Sequence, residues 1–150
     1  MAESIPEFLA RSPLFASMRA DELKRLVPWL DVRQIPSGQV LLWEGKDHDD
    51  FYILWRGKVV VSKMVRGEVE TVLAHLTPPA HFGELNLVDG NGSSATVTAE
   101  EDCLLLHFTR ERLKRLLESD SQLSAHFAWA LMRDITARLR KTNQKLQEIV

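Results

Sequence analysis

Residues able to do chemistry concentrate in one stretch, FGELNLVDGNGSSATV at 82–97. There Gly83 and Glu84 open a short helical turn after a strand end, and Ser93 and Ser94 lead into a new strand. Free backbone N–H groups at the start of such a turn can receive an anion, and glycine lets the backbone approach closely. Glu84 supplies an acceptor for a hydroxyl, and the two serines supply small donors. A metal reading draws on the same region through His75, His81 and Glu84 in HLTPPAHFGE. A facial metal site needs ligands converging on one point, and no two histidines here stand one residue apart. The remaining histidines, His48, His107 and His126, are scattered, so no metal is expected. No serine or cysteine nucleophile motif occurs, and DGNGSS lacks the lysine and spacing of a P-loop. These patterns weigh against an enzyme.

Positioning that stretch requires a framework, and the hydrophobic pattern predicts one. Residues 4–10 suit a short helix opened by Ser4, with Pro6 in its first turn and Glu7 in the capping-box position. A second helix is predicted over 17–26, where Leu23, Leu26 and Val27 make an apolar stripe that Pro28 ends or kinks. Between 31 and 108 the period shortens to extended runs: DVRQI, QVLLW, FYILW, KVVVSKMV, EVETVLAHL, ATVTA and CLLLHF. That spacing predicts an all-β barrel or sandwich. VRGEV at 65–69 is a hairpin tip, with Gly67 able to take positive φ. Helical periodicity returns near residue 110, with Leu113, Leu116 and Leu117 on one face, and a longer helix follows Asp120.

The last helix, about 121–148, carries Leu123, Phe127, Leu131, Ile135, Leu139, Thr142, Leu146 and Ile149 at three- and four-residue steps. At roughly 40 Å it is longer than a small barrel can cover, so a second copy of the helix is its natural cover. Steps 139, 142, 146 and 149 are heptad-like, with Thr142 as a polar member that could fix register in a homodimer. Arg133, Arg138, Arg140, Lys141 and Lys145 on the same helix read as a solvated face.

Composition bounds the rest. The 150 residues suit one domain, with helices at 1–30, the β-barrel at 31–109 and C-terminal helices at 110–150. A hydrophobic fraction of 45% with 27% charged residues marks a soluble globular chain, and a net charge of −2 argues against a general nucleic-acid or membrane-surface binder. Cys103 stands alone, which excludes an internal disulfide, and its setting in CLLLHF reads as a buried core thiol. MAESIPEFLARSPLF lacks the apolar stretch of a signal peptide, so a cytoplasmic location is expected.

Several motifs together resemble one family. PSGQVLLWEG, FYILWRGKVVV and FGELNLVDG…SSATV are similar to the cyclic-nucleotide-binding domain of catabolite-activator-type bacterial regulators, of cyclic-nucleotide-dependent kinase regulatory subunits and of cyclic-nucleotide-gated channels. The likeness runs over roughly 14–148, and Gly38, Gly45 and Gly57 fall where that family turns between strands. It implies a double-stranded β-helix jelly roll, mainly β, flanked by N-terminal helices and a long C-terminal helix that often forms the dimer. It also implies a signal-transducing regulatory domain with cyclic AMP or cyclic GMP as ligand and no cofactor. Gly83, Glu84, Leu85 and Asn86 match the phosphate cassette, whose N–H groups face the cyclic phosphate, with Glu84 on the ribose 2′-hydroxyl. Ser94 matches a small hydroxyl residue that helps hold the phosphate. Arg133, Arg138, Thr142 and Asn143 on the last helix are candidate base contacts.

One departure carries weight. The family's usual cassette has an arginine just before the position of Ser94, and this chain has Ser93. Serine donates one neutral hydrogen bond and supplies neither charge nor a two-pronged guanidinium. LVDGNGSS holds no other cation and adds Asp89. A hydrogen bond to a charged group is worth about 1.5–3 kcal/mol, so phosphate binding should weaken by about one to two orders of magnitude unless a cation such as Arg133 or Arg138 compensates. Pro79 and His81 also stand where glycine and an aromatic residue are common, and His48 replaces a frequent glycine. The resemblance thus leaves three expectations: a small-ligand sensor with altered binding, a ligand-free interaction module, or the sensor half of a transcription regulator. In the third case the chain, which stops at Val150, lacks the helix-turn-helix and makes no direct nucleic-acid contact.

Overall fold

Period-two patterning between residues 31 and 109 becomes eight strands, β1 (Asp31–Ile35), β2 (Val40–Leu42), β3 (Asp50–Arg56), β4 (Val59–Val65), β5 (Val69–Leu76), β6 (His81–Phe82), β7 (Thr96–Ala99) and β8 (Cys103–Thr109). The structure, a computed structural model, describes residues 3–149; the side chains of Leu85 and Ile149 lie outside the described residues. Two four-stranded antiparallel sheets form, in the orders β1, β8, β3, β6 and β2, β7, β4, β5. Together with its flanking helices this is the mainly β jelly roll that the resemblance implies. Inward-facing positions from both sheets make one core cluster, with Ile35, Tyr52, Leu54 and Leu105 from the first and Leu42, Val59 and Val97 from the second.

Cys103 joins that cluster at 5% exposure, and burial pushes its thiol pKa up, as fits an inert core residue. The hairpin tip is where VRGEV places it, with positive φ at Arg66 and Gly67. Gly38, Gly45 and Gly57 also take positive φ. The strand end expected before Gly83 is β6. β6 has only two residues, His81 and Phe82, too few to show a period, yet they pair with Ile53 and Tyr52 of β3.

The chain divides into two compact units, residues 28–115 and the helical pieces 1–27 with 116–150. In the helical unit α1 (Ile5–Leu9) is capped by Ser4, whose hydroxyl accepts the Glu7 N–H at 3.3 Å. α2 (Ala20–Leu26) begins three residues later than its apolar stripe predicts. The buried carboxylate of Glu22 accepts the Arg19 N–H at 3.1 Å and fixes the helix start there, leaving 17–19 outside the helix. The Val27–Trp29 stretch is a 3-10 turn around Pro28. α3 (Glu84–Val88) lies within the β unit, and α4 (Arg110–Ser119) follows β8.

α5 (Ser121–Ile149) starts on Asp120, whose carboxylate accepts the Leu123 N–H at 3.1 Å. Arg25 donates to that same carboxylate at 2.7 Å, and Phe15 lies against Phe127 with ring centroids 5.8 Å apart. Leu123 and Phe127 are buried, whereas Leu139 and Leu146 stay exposed at 58% and 55%. The basic residues of α5 are exposed, as a solvated face should be. Among the described residues no helix is long and apolar enough to cross a membrane.

Candidate functional site: the 83–94 turn and its neighbours

Gly83 has φ +91°, and a side chain there would collide with the Asp50 carbonyl oxygen. Only glycine fits, because the chain leaves β6 directly beside the start of β3. The Gly83 carbonyl accepts the Asn86 N–H at 3.1 Å and begins α3. Gly83, Glu84 and Asn86 thus share one tight turn with the backbone of Leu85. Glu84 is buried at 3%, its carboxylate 3.5 Å from Nδ1 of the equally enclosed His81. Asn86 is buried at 1%, and its side-chain oxygen has no hydrogen-bond partner among the described residues. A buried polar atom left in that condition marks a place where a ligand or water can donate.

Ser93 closes the loop through hydrogen bonds of its own. Its hydroxyl donates to the Ala95 carbonyl at 2.6 Å, and its backbone exchanges hydrogen bonds with Gly45 and Lys46 at 2.8 and 2.9 Å. Ser94 is exposed, and its carbonyl accepts Nζ of Lys63 at 3.0 Å. Two cations therefore touch this region that the loop's own sequence does not contain. Beside Lys63, Arg110 donates through Nε to the Asn86 carbonyl at 2.9 Å, with Nη2 on the same oxygen, and its Nη1 lies 3.2 Å from Asp49. Both come from strands or helices 24 or more residues away along the chain. Local spacing carries no signal for such contacts, although a lysine at an inward-parity position of KVVVSKMV is a trace of one.

The candidates on α5 have partners of their own in the helical unit. Arg133 donates to the Ser17 hydroxyl at 3.4 Å, and Arg138 pairs with Asp134 one turn before it at 3.2 Å. The Thr142 hydroxyl donates to the Arg138 carbonyl at 3.1 Å, and Asn143 is exposed.

The histidines take separate partners. His75 faces Glu100, His81 faces Glu84, and His126 meets the carboxylate of Glu22 at 2.7 Å. His48 accepts the Trp43 N–H at 2.9 Å. Fully buried His107 holds Asp50 at 2.5 Å, and that hydrogen bond keeps the Asp50 carboxyl below its ordinary pKa despite burial. Tyr52 lies tilted against His107 with ring centroids 4.9 Å apart, and burial, aided by the Asp50 charge, pushes its phenol up to about 12.

The family described as cyclic nucleotide-binding domain matches residues 32–120. The CRP-like cAMP-activated global transcriptional regulator of Mycobacterium tuberculosis is 26% identical over 144 residues, covering 96% of this chain and 62% of that protein. The cyclic AMP receptor protein of Thermus thermophilus is 32% identical over 135 residues, covering 90% and 61%. The crystal structure of the Thermus thermophilus catabolite activator protein superposes with a TM-score of 0.83 at 29% identity, covering 92% and 63%. The chain spans less than two thirds of the length of each of these relatives. With the jelly roll, the glycine turn and the matched span in agreement, the chain belongs to the cyclic-nucleotide-binding domain family.

Proposed function

We propose that this domain is a non-enzymatic regulatory sensor that takes a cyclic nucleotide, or another small anionic ligand, with a weakened hold on the phosphate. The buried Glu84 and Asn86 support a ligand rich in hydroxyl or N–H donors at the 83–86 turn. His81, 3.5 Å from Glu84, shares that carboxylate with any ribose hydroxyl. The observation that carries the weakened hold is Ser93, whose hydroxyl is already bonded to Ala95 at 2.6 Å. Likeness to a transcriptional regulator and a receptor supports a place as the sensing portion of a regulatory protein.

The test is a calorimetric titration with cyclic AMP and cyclic GMP. Ser93→Arg should raise affinity about 10- to 100-fold, the scale of a charge-assisted hydrogen bond. Adding Glu84→Ala to that variant should remove most of the gain. Absence of heat with both Ser93→Arg and the unmodified chain would favour the ligand-free module instead.

A further inference from the structure

We propose that Lys63 is the cation serving the phosphate in this chain, in place of the arginine that Ser93 replaces; this rests on the sensor reading above. The side of the sheet from which Lys63 projects follows from register. β4 runs against β7 without a break from Val59 to Ser62, and the extra residue at the irregularity between β4 and β5 belongs to β5, at Leu73. Lys63 therefore shares a face with Val59 and Val61, which pack into the core. Two residues beyond Val61, past the last β7 pairing at Ser62, the strand becomes exposed. There the side chain is 48% exposed, so its head group keeps access to solvent and to a ligand.

Its position is held from two directions. Nζ donates to the Ser94 carbonyl at 3.0 Å and lies 3.7 Å from the Glu44 carboxylate. Glu44 is itself pinned, since its other oxygen accepts the Met64 N–H at 2.9 Å and its backbone forms a bridge with Ser93. The ammonium has three donors and one is bonded to Ser94, which leaves protons for an anion one residue from Ser93. Arg110, the other cation on this loop, has all three guanidinium nitrogens engaged, Nε and Nη2 by the Asn86 carbonyl and Nη1 by Asp49, and so is fixed on α3 instead of on Ser93. As a point charge on a flexible stem, lysine gives a weaker and less directional hold than arginine, in keeping with weakened binding.

The experiment is isothermal titration of the full chain and of Lys63→Gln, Lys63→Arg, Ser93→Arg and the Lys63→Gln/Ser93→Arg pair, using cyclic AMP, cyclic GMP and the uncharged nucleoside adenosine. Lys63→Gln should weaken both cyclic nucleotides by about tenfold or more while leaving adenosine unchanged, and Lys63→Arg should retain binding. Ser93→Arg should help more in the Lys63→Gln background than in the unmodified chain, because the two cations serve one anion. Thermal melts should stay nearly unchanged, since Lys63 is half exposed. Equal cyclic-nucleotide affinity for the unmodified chain and Lys63→Gln overturns the assignment and leaves the sensor reading standing. So does binding by Ser93→Arg alone, with none by the unmodified chain. Failure of every variant to bind defeats the sensor reading, and the Lys63 assignment with it.

Discussion

Asp50 and His107 form a polar pair that the surrounding strands must accommodate. They sit on neighbouring strands, β3 and β8, and the 2.5 Å hydrogen bond to fully buried His107 lowers the Asp50 pKa. A carboxyl whose native pKa lies below its unfolded value of about 3.9 adds stability that is present above that value and disappears as pH falls through the lowered native one. Asp50→Asn should flatten this acid limb in urea unfolding as pH falls below about 4. At neutral pH it should cost about 1 kcal/mol, a figure kept small because Asp50 is partly exposed. Single residues were unevenly legible in the sequence. The turn glycine Gly83 and the buried thiol Cys103 announce themselves by type and setting, whereas Glu84 and Asn86 stand out through the family resemblance. Lys63 and Arg110 do not, because what matters about them is which distant carbonyl their nitrogens reach, and only the folded register decides that.

At the scale of elements, the 83–92 segment is held by a residue outside it. Arg110, the first residue of α4, grips the Asn86 carbonyl in α3, and its own N–H donates to the Asp49 carbonyl at 2.8 Å. Gly90 lies under the guanidinium, where an added Cβ would come within 3.1 Å of Nη2. Arg110→Ala should therefore speed amide exchange across 84–92 by about tenfold or more, the effect of losing about 1.5–3 kcal/mol of charge-assisted bonding, and leave the central strands β3 and β8 protected. Strands with alternating or continuous apolar runs were readable, as was the long helix. The misplaced start of α2 has a physical cause: it is set by one hydrogen-bonding partner, Glu22. Periodicity averages over windows longer than such contacts.

At the scale of the molecule the open question is what covers the second half of α5. Leu139 and Leu146 are exposed at 58% and 55%, and Thr142 between them satisfies its hydroxyl within its own helix, so this seam has an apolar surface and a polar residue that needs no partner. We propose a two-fold dimer along the 139, 142, 146 steps. Four leucines buried across the axis, at about 1.5–3 kcal/mol each, would contribute roughly 6–12 kcal/mol. Association itself costs about 4–15 kcal/mol, so the balance is narrow and these four side chains decide it. Leu139→Asp with Leu146→Asp places four carboxylates in the seam and should give a monomer by multi-angle light scattering, with strand signals in circular dichroism unchanged. A wild-type chain that runs as a monomer at high protein concentration would instead assign that face to some other partner, since a stripe of this kind seldom stays wet along a helix of 29 residues.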